Sequence, residues 1–577
     1  MTELSQFNIP PEDRPSNRKL VRDSDEGYRN TIGGLDFRKV GKDRGVTMGP
    51  SNKIAQDLAD DSTDEIDENN DADPEDLNQH DNDDLNKTLD EIWTLQIFGK
   101  KNPNEKYVPF ESKSANLFER MLHPMQYGSL RGSIFGLSSM CLEAGALVLA
   151  IRCKQFGLIN FLIALMLGGL CAYWTLVMMV RSAKSLKVRD YSKVVKEILG
   201  NKVGIFLDCN ILIYLLGAVI SFQVIIFQII GAVTYDILKI CGKMEYDNFE
   251  EFKNEYWRKK LYIKFPVMIG VALLVFPLCL LKDVSKMRIP SLIGVLALIY
   301  SILVIVVESF FFLTKKNWNL LGEMNWFDIT QAFSLKDGIP FFGGVATVFY
   351  IYSCHAGAFP VYKTLRKNTT KRIKKVFRRS ILLDVCIYVC VAAASFITSP
   401  QNPPELILYR DDLEGFSPDY FIIVAKVGII FNLFFSTPAN YAGLRISLFE
   451  LIWGNSNITN TKNVIVTIII LSLVVTTGAL YDQILEYIEL LGGFCSVIYC
   501  VLIPGLIYVK NYDKNFRQNK NNDIDEENNI NNNDKPKEKD CSHCLNILTV
   551  IVLIILTLIG YTSGVLTILF NMVKIKH

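Results

Sequence analysis

The sequence predicts an all-α integral membrane protein of about eleven spans, and three observations carry the prediction. Hydrophobic residues make up 50% of the chain, and most are gathered into runs of about twenty, the length that crosses about 30 Å of hydrocarbon. Charge is crowded between these runs. Two runs are interrupted by similar polar kinks, Cys141-Leu-Glu143-Ala-Gly145-Ala-Leu147 and Cys354-His355-Ala-Gly357-Ala-Phe359-Pro360. Hydrocarbon has no water for unpaired amides and carbonyls, so such breaks survive only where they line a polar cavity.

Taken in order, residues 1–126 are polar and, from Asp57 to Asp90, dense in Asp, Glu and Asn. This composition cannot bury enough apolar surface to order itself, and a disordered acidic cytoplasmic tail is expected. Residues 127–511 hold ten spans. They run Gly128–Ile151, Gly157–Arg181, Val203–Leu238, Leu261–Leu281, Ile289–Leu313, Ile339–Tyr362, Ser380–Thr398, Tyr420–Trp453, Val464–Leu480 and Leu485–Val509. The third and eighth exceed one crossing, which tilt or an extension beyond the bilayer absorbs. Residues 512–544 are rich in Asn and Lys and read as a disordered cytoplasmic loop. Residues 545–577 contain the eleventh span, Leu545–Met572, and a short end on the far side.

Lys and Arg in the connections set orientation. Arg181, Lys184, Lys187, Arg189, Lys193 and Lys196 follow span two; Lys363, Arg366, Lys367, Lys371, Arg372, Lys374 and Lys375 follow span six. Both connections and the N-terminus are expected in the cytoplasm, and His577 across the membrane. No apolar core marks a cleavable signal near Met1. The first ten spans divide into two sets of five, with a break in the first member of each, and an odd number per set forces opposite topology. That is an inverted repeat, and paired broken helices point to a binding site at the membrane midplane.

The composition excludes other classes. A net charge of +1 argues against nucleic acid as partner. No phosphate-binding Gly-Lys-Ser/Thr loop of a pump is present, nor a filter motif of a channel, nor the constellation of an intramembrane enzyme. No cofactor is implied. The thirteen cysteines are scattered and imply no disulfide framework; Cys541-Ser-His543-Cys544 lacks a second ligand pair for zinc and leaves juxtamembrane palmitoylation open.

Several stretches together resemble the amino acid/auxin permease family, within the amino acid, polyamine and organocation superfamily. They are Glu143-Ala-Gly145 to Leu149, Asp190-Tyr191 to Leu199-Gly200, Phe276-Pro277 to Ser291-Leu-Ile-Gly294, Cys354-His355 to Phe359-Pro360-Val-Tyr362, and Gly492-Gly493 to Pro504-Gly505. The Asn-rich stretches also resemble proteins of AT-rich parasite genomes, apicomplexans such as the malaria parasites. The family resemblance implies a LeuT-like fold of five plus five spans with one added, amino acid substrates, neutral or aromatic ones favoured, and coupling to protons or sodium. Secondary active, proton-coupled transport is the leading expectation; a sodium-coupled carrier and an amino-acid sensor signalling through the acidic tail are the alternatives. By analogy the membrane is vacuolar or lysosome-like, with the plasma membrane as second choice.

The residues point to the same site. An unwound segment followed by a helix start offers free amides to a carboxylate, which nominates Ala144, Gly145 and Ala146. Carbonyls left free at the second break, on Tyr352, Ser353 and Cys354, suit an ammonium group, with Asn210, Tyr214 and Gln223 of span three as pocket wall. Glu143 stands where the family has glycine, and an ionised carboxylate in the membrane costs about 3 kcal/mol; it and His355 are the expected proton-coupling groups. Sodium would use the hydroxyls of Ser139, Ser436 and Thr437, which equally serve as inter-helix glue. Glu308 and Lys426 are expected to pair with each other or to snorkel.

Overall fold

The protein is described here by a computed structural model covering residues 129–142, 144–186, 188, 190–246, 249–281, 288–315, 326–334, 340–365, 369–399, 402–410, 412–413, 417–453, 459–511, 551–566 and 569. The acidic tail, Glu143, the Asn-rich loop and the Cys541–Cys544 cluster lie outside the described residues. Within them all regular structure is helical. Eight helices are long and apolar enough to cross a membrane, and the pair Leu130–Cys141 with Gly145–Phe156, bent by 50°, makes a ninth crossing. The expected total of about eleven adds two elements too short to qualify singly: the broken sixth span, Pro340–Ile351 with His355–Thr364, and the apolar helix Ile551–Leu566.

Span one is Leu130–Cys141, a 3₁₀ turn Ala144–Val148, and Leu149–Phe156. Ser129 caps its start, accepting from the Gly132 amide at 3.1 Å. Spans two to five are Leu158–Leu186, Asn201–Ile240, Leu261–Cys279 and Arg288–Lys315. Span seven is Thr370–Thr398, capped by Thr369; spans eight and nine are Tyr420–Trp453 and Asn460–Leu480. Span ten runs Ile484–Asn511 and passes through π-helical turns at Leu491–Ser496 and Ile498–Leu502. The third and eighth spans, forty and thirty-four residues, reach about 60 and 51 Å at 1.5 Å per residue, as their apolar runs imply.

The packing exposes the repeat. Span one lies against span six, two against seven, three against eight and four against nine, so helices five apart in order are neighbours in space. At the first pair the contact is crossed. The first half of span one meets the second half of span six, and its second half meets the first half of span six. The two broken helices therefore run antiparallel, as opposite topology of the halves demands. Spans one, two, six and seven form one packed group; spans three, four, eight and nine form another.

Polar side chains fasten the frame where hydrophobic contrast cannot, since lipid tails are as apolar as leucine. Arg445 of span eight donates to the carbonyls of Cys279 and Leu281 at the end of span four, and to Asn463 of span nine at 2.9 Å. Gln223 donates to the Met268 carbonyl of span four at 2.8 Å, so it joins helices rather than lining a pocket. Glu308 and Lys426 do not pair with each other: Lys426 meets Asp236 at 2.6 Å, while Glu308 shares Arg410 with Asp419. Each has a partner closer in the fold than the other, on an element the apolar pattern could not bring to it. The last helix docks through small residues. A Cβ at Gly493 of span ten would stand 2.6 Å from the Gly564 amide nitrogen, an approach only small residues permit.

Asp482, between spans nine and ten, clamps Arg258 at 2.9 Å and Lys264 at 3.0 Å. Burial pushes its carboxyl up, but the two cations prevail and hold it below the usual range. Such a group adds stability above about pH 4, the ordinary carboxylate value, and loses it as pH falls further. Asp482→Asn is expected to strand two cations at a cost of about 3 kcal/mol. The measurement is thermal melting of the detergent-solubilised protein at pH 7, where the variant melts several degrees lower; equal melting points would remove the clamp from the account.

Candidate functional site

The site is where the two breaks meet. At Leu142 the backbone leaves the helix (φ −78°, ψ 66°), and the chain re-enters a helical path only through the 3₁₀ turn. In span six, the helix ends at Ile351 and restarts at His355. Glycines on both sides make room for side chains across the break. A Cβ on Gly145 would stand 2.5 Å from Ile351 Cγ2, and one on Gly357 would stand 1.9 Å from Met140 Sδ.

Carbonyls released at the breaks find protein donors. The Tyr388 hydroxyl of span seven reaches the Cys141 carbonyl at 2.5 Å and the Ile351 carbonyl at 3.0 Å, tying the last turn of both first halves. Tyr499, on a π turn of span ten, donates to the Ser353 carbonyl at 3.0 Å. The Cys354 amide donates to the Tyr352 carbonyl at 2.9 Å. The expectation of free carbonyls at span six is thus corrected: those of Tyr352, Ser353 and Cys354 each carry a protein donor, the last from the Gly357 amide at 3.0 Å, leaving one lone pair each.

A small, partly open cavity lies on the side of the breaks from which span one enters. Met140, Tyr214, Ser353, Cys354, Asn440 and Tyr499 are among its lining residues, and none of the lining residues carries a formal charge. Its polar corner is built from hydroxyls and rings. Tyr214 and Ser353 share a hydrogen bond of 2.7 Å, and the rings of Tyr214 and Tyr499 meet edge to face at 5.3 Å. One turn before Tyr214 on span three, Asn210 is buried with its Oδ1 lacking a partner.

The other expected residues fall at different depths. Ser353 and Cys354 line the cavity, whereas Tyr352 turns away, donating to the Leu165 carbonyl of span two at 3.0 Å with its ring against Tyr388. His355 is fully buried; its Nε2 lies 2.8 Å from the Thr175 hydroxyl, and its Nδ1 has no partner among the described residues. Gly145 and Ala146 sit in the 3₁₀ turn, which Ala144 begins and whose first amides lack acceptors within it. The hydroxyls of Ser139 and Thr437 donate to their own helices, to Gly136 and Leu433 carbonyls; the Ser436 carbonyl accepts from Asn440.

Three features of the candidate site escape the apolar pattern. Arg152, just past the expected end of span one, pairs with Glu489 of span ten on the side opposite the cavity, and only 2% of its side chain is exposed. Tyr499 and Tyr388 supply the hydroxyls that seal the breaks. Asp384 of span seven is completely buried beside span one and accepts the Ser138 hydroxyl.

Comparison with known proteins adds the following. The family model for transmembrane amino acid transporter proteins matches residues 127–526. The sodium-coupled neutral amino acid transporter 7 of Xenopus laevis is 24% identical over 394 residues, covering 66% of this chain and 80% of that protein. The vacuolar amino acid transporter 6 of Saccharomyces cerevisiae is 22% identical over 279 residues, covering 48% of this chain and 56% of that one. The structure of MhsT in complex with L-phenylalanine superposes with a TM-score of 0.47 at 14% identity, covering 76% of this chain and 100% of that chain.

Tyr388→Phe removes the one hydroxyl serving two buried carbonyls. It is expected to lower stability by about 1–3 kcal/mol, the cost of a buried polar group left unpaired, read as a drop in melting temperature. A variant as stable as the parent would mean that water replaces the phenol.

Proposed function

Since the chain belongs to the transmembrane amino acid transporter protein family, we propose that it is a secondary active, proton-coupled amino acid carrier working by alternating access around a midplane site between broken spans one and six. The cavity at the meeting point of the breaks carries this reading. Its uncharged lining of aromatic, thioether and aliphatic side chains suits a neutral or aromatic amino acid, whose two charges must then be met by backbone and hydroxyl groups. The carboxylate goes to the amides of Ala144, Gly145 and Ala146, at the start of a helical turn. The ammonium group goes to Ser353 and Tyr214, with Asn210 Oδ1 as acceptor behind them.

The geometry supplies a route for alternation. Arg152 and Glu489, with Phe156 packed over Gly344 of span six, close the half opposite the cavity. Opening that half requires the ion pair to part, and closing the cavity requires the first half of span one and the second half of span six, joined at Met140 and Gly357, to move toward spans three and eight. Spans one, two, six and seven move as one group against spans three, four, eight and nine.

Proton coupling is assigned to Glu143 and His355, and sodium, through Ser139, Ser436 and Thr437, is the rival ion. The basic connections support a cytoplasmic N-terminus. A vacuolar or lysosome-like membrane is favoured, in keeping with the vacuolar transporter among its relatives; from an acidic lumen a proton-coupled carrier delivers amino acids to the cytoplasm.

The test is uptake of neutral, aromatic and cationic L-amino acids into proteoliposomes under separately imposed proton and sodium gradients. The wild type is expected to concentrate neutral or aromatic substrates under a proton gradient alone, and Glu143→Gln to lose at least tenfold of that drive. A mutant driven as well as the wild type removes Glu143 from coupling. Flux surviving deletion of residues 1–126 separates a carrier from a sensor.

A further inference from the structure

Asp384 is a second acid at the break, and the apolar pattern conceals it. It sits on span seven one turn before Tyr388, the residue that ties both breaks, and its exposure is 0%. Its Oδ1 accepts the hydroxyl of Ser138, in the last turn of span one's first half; its Oδ2 is buried with no partner among the described residues. The Cys141 thiol lies within hydrogen-bonding reach as well.

The groups around the carboxyl are weak acids. Cys141 faces it from span one, Tyr352 borders it from span six, and Tyr388 from its own helix. Among the described residues, no lysine, arginine or histidine side chain acts on it from those elements or from spans two and five, which pack on the same helix. His355 is turned to Thr175 of span two. A buried carboxylate with one oxygen unpaired and no counter-charge among the described residues is strongly disfavoured, and a proton on Oδ2 removes the charge. A metal ion fits the place poorly: Ser138 is spent as a donor, and the nearby Cys141 and Ile351 carbonyls already accept from Tyr388.

Resting on the proton-coupled reading above, we propose that Asp384 is a proton-binding site of the transport cycle, loaded while the first half of span one is docked on span seven and emptied when that half-helix moves away. Ser138 is the latch. It belongs to the same half-helix as Met140, which lines the cavity, so the movement that closes or opens the cavity is the movement that admits water to Oδ2. By linkage, a group that binds its proton more tightly in the docked state favours docking by the same factor when protonated. Cavity state and proton occupancy are then tied through one contact, with no group needing to touch the substrate.

The full-length protein in proteoliposomes, given a radiolabelled mixture of neutral L-amino acids, tests this with three readouts: exchange at zero gradient, accumulation under a pH gradient, and proton influx followed by an internal pH dye. Asp384→Asn is expected to exchange above protein-free vesicles yet to lose at least tenfold of gradient-driven accumulation together with substrate-dependent proton influx. Ser138→Ala removes a donor that stabilises the ionised carboxylate, so the pH midpoint of driven uptake moves upward. An Asp384→Asn protein that still accumulates substrate and carries protons overturns the assignment. So does one that loses exchange along with accumulation while Ser138→Ala leaves the midpoint in place. A wild type indifferent to the pH gradient and driven by sodium defeats proton coupling itself, whatever the variants do.

Discussion

An interrupted helix inside a membrane must have every backbone group it releases taken up by something other than water, and the architecture follows from that requirement. Each break here is served by hydroxyls from intact neighbours: Tyr388 of span seven caps the last turns of both first halves, and Tyr499 of span ten takes the Ser353 carbonyl. The broken helices cannot be placed at the edge of the bundle, where lipid would face the gaps. They are held at its centre, with spans two, seven and ten packed around them.

The same requirement explains why the two halves interlock rather than sit side by side. An inverted repeat puts equivalent helices in contact, and the crossed packing of spans one and six brings the gap in one against the gap in the other. Two short polar stretches then share one cavity. In the other group, Gln223 ties span three to span four, Arg445 ties span eight to spans four and nine, and Lys426 ties span eight to Asp236 of span three, so polar bonds rather than apolar contrast fasten it. The interior is thus divided into a group that contains the gaps and a frame that contains none.

Much of this is legible from residue order. The span limits, the two kinks and the small residues that let them meet are visible because membrane thickness and hydrogen bonding leave few alternatives. Side-chain direction at a break is not, because helical periodicity stops there: Tyr352, read as a pocket residue, points into span two, while Tyr499, unremarked in an apolar run, reaches the Ser353 carbonyl. Asp384 escaped for a related reason. The apolar run begins at Ser380, so a carboxylate four positions on reads as one at the membrane edge, until the helix is found to begin at Thr370 and the side chain to meet Ser138. Arg152 fell one residue beyond the run that defined span one. The partners of Lys426 and Glu308 lay on elements the pattern could not juxtapose, Asp236 at the end of span three and Arg410 in a connection.

Tyr499 has a second contact that extends the reach of the site. Its carbonyl accepts the hydroxyl of Tyr191 at 2.6 Å, while its own hydroxyl holds Ser353, itself bonded to Tyr214. Tyr191 opens the short helix Tyr191–Leu199, which follows a basic connection and carries lysines on its outer face. Two tyrosine hydroxyls, each donating to a backbone carbonyl, therefore link this short helix to the second break. The second break is thereby hydrogen-bonded, through span ten, to a short helix that carries lysines and lies outside the spans, so the geometry of the gap and the seating of that helix are set by the same residue.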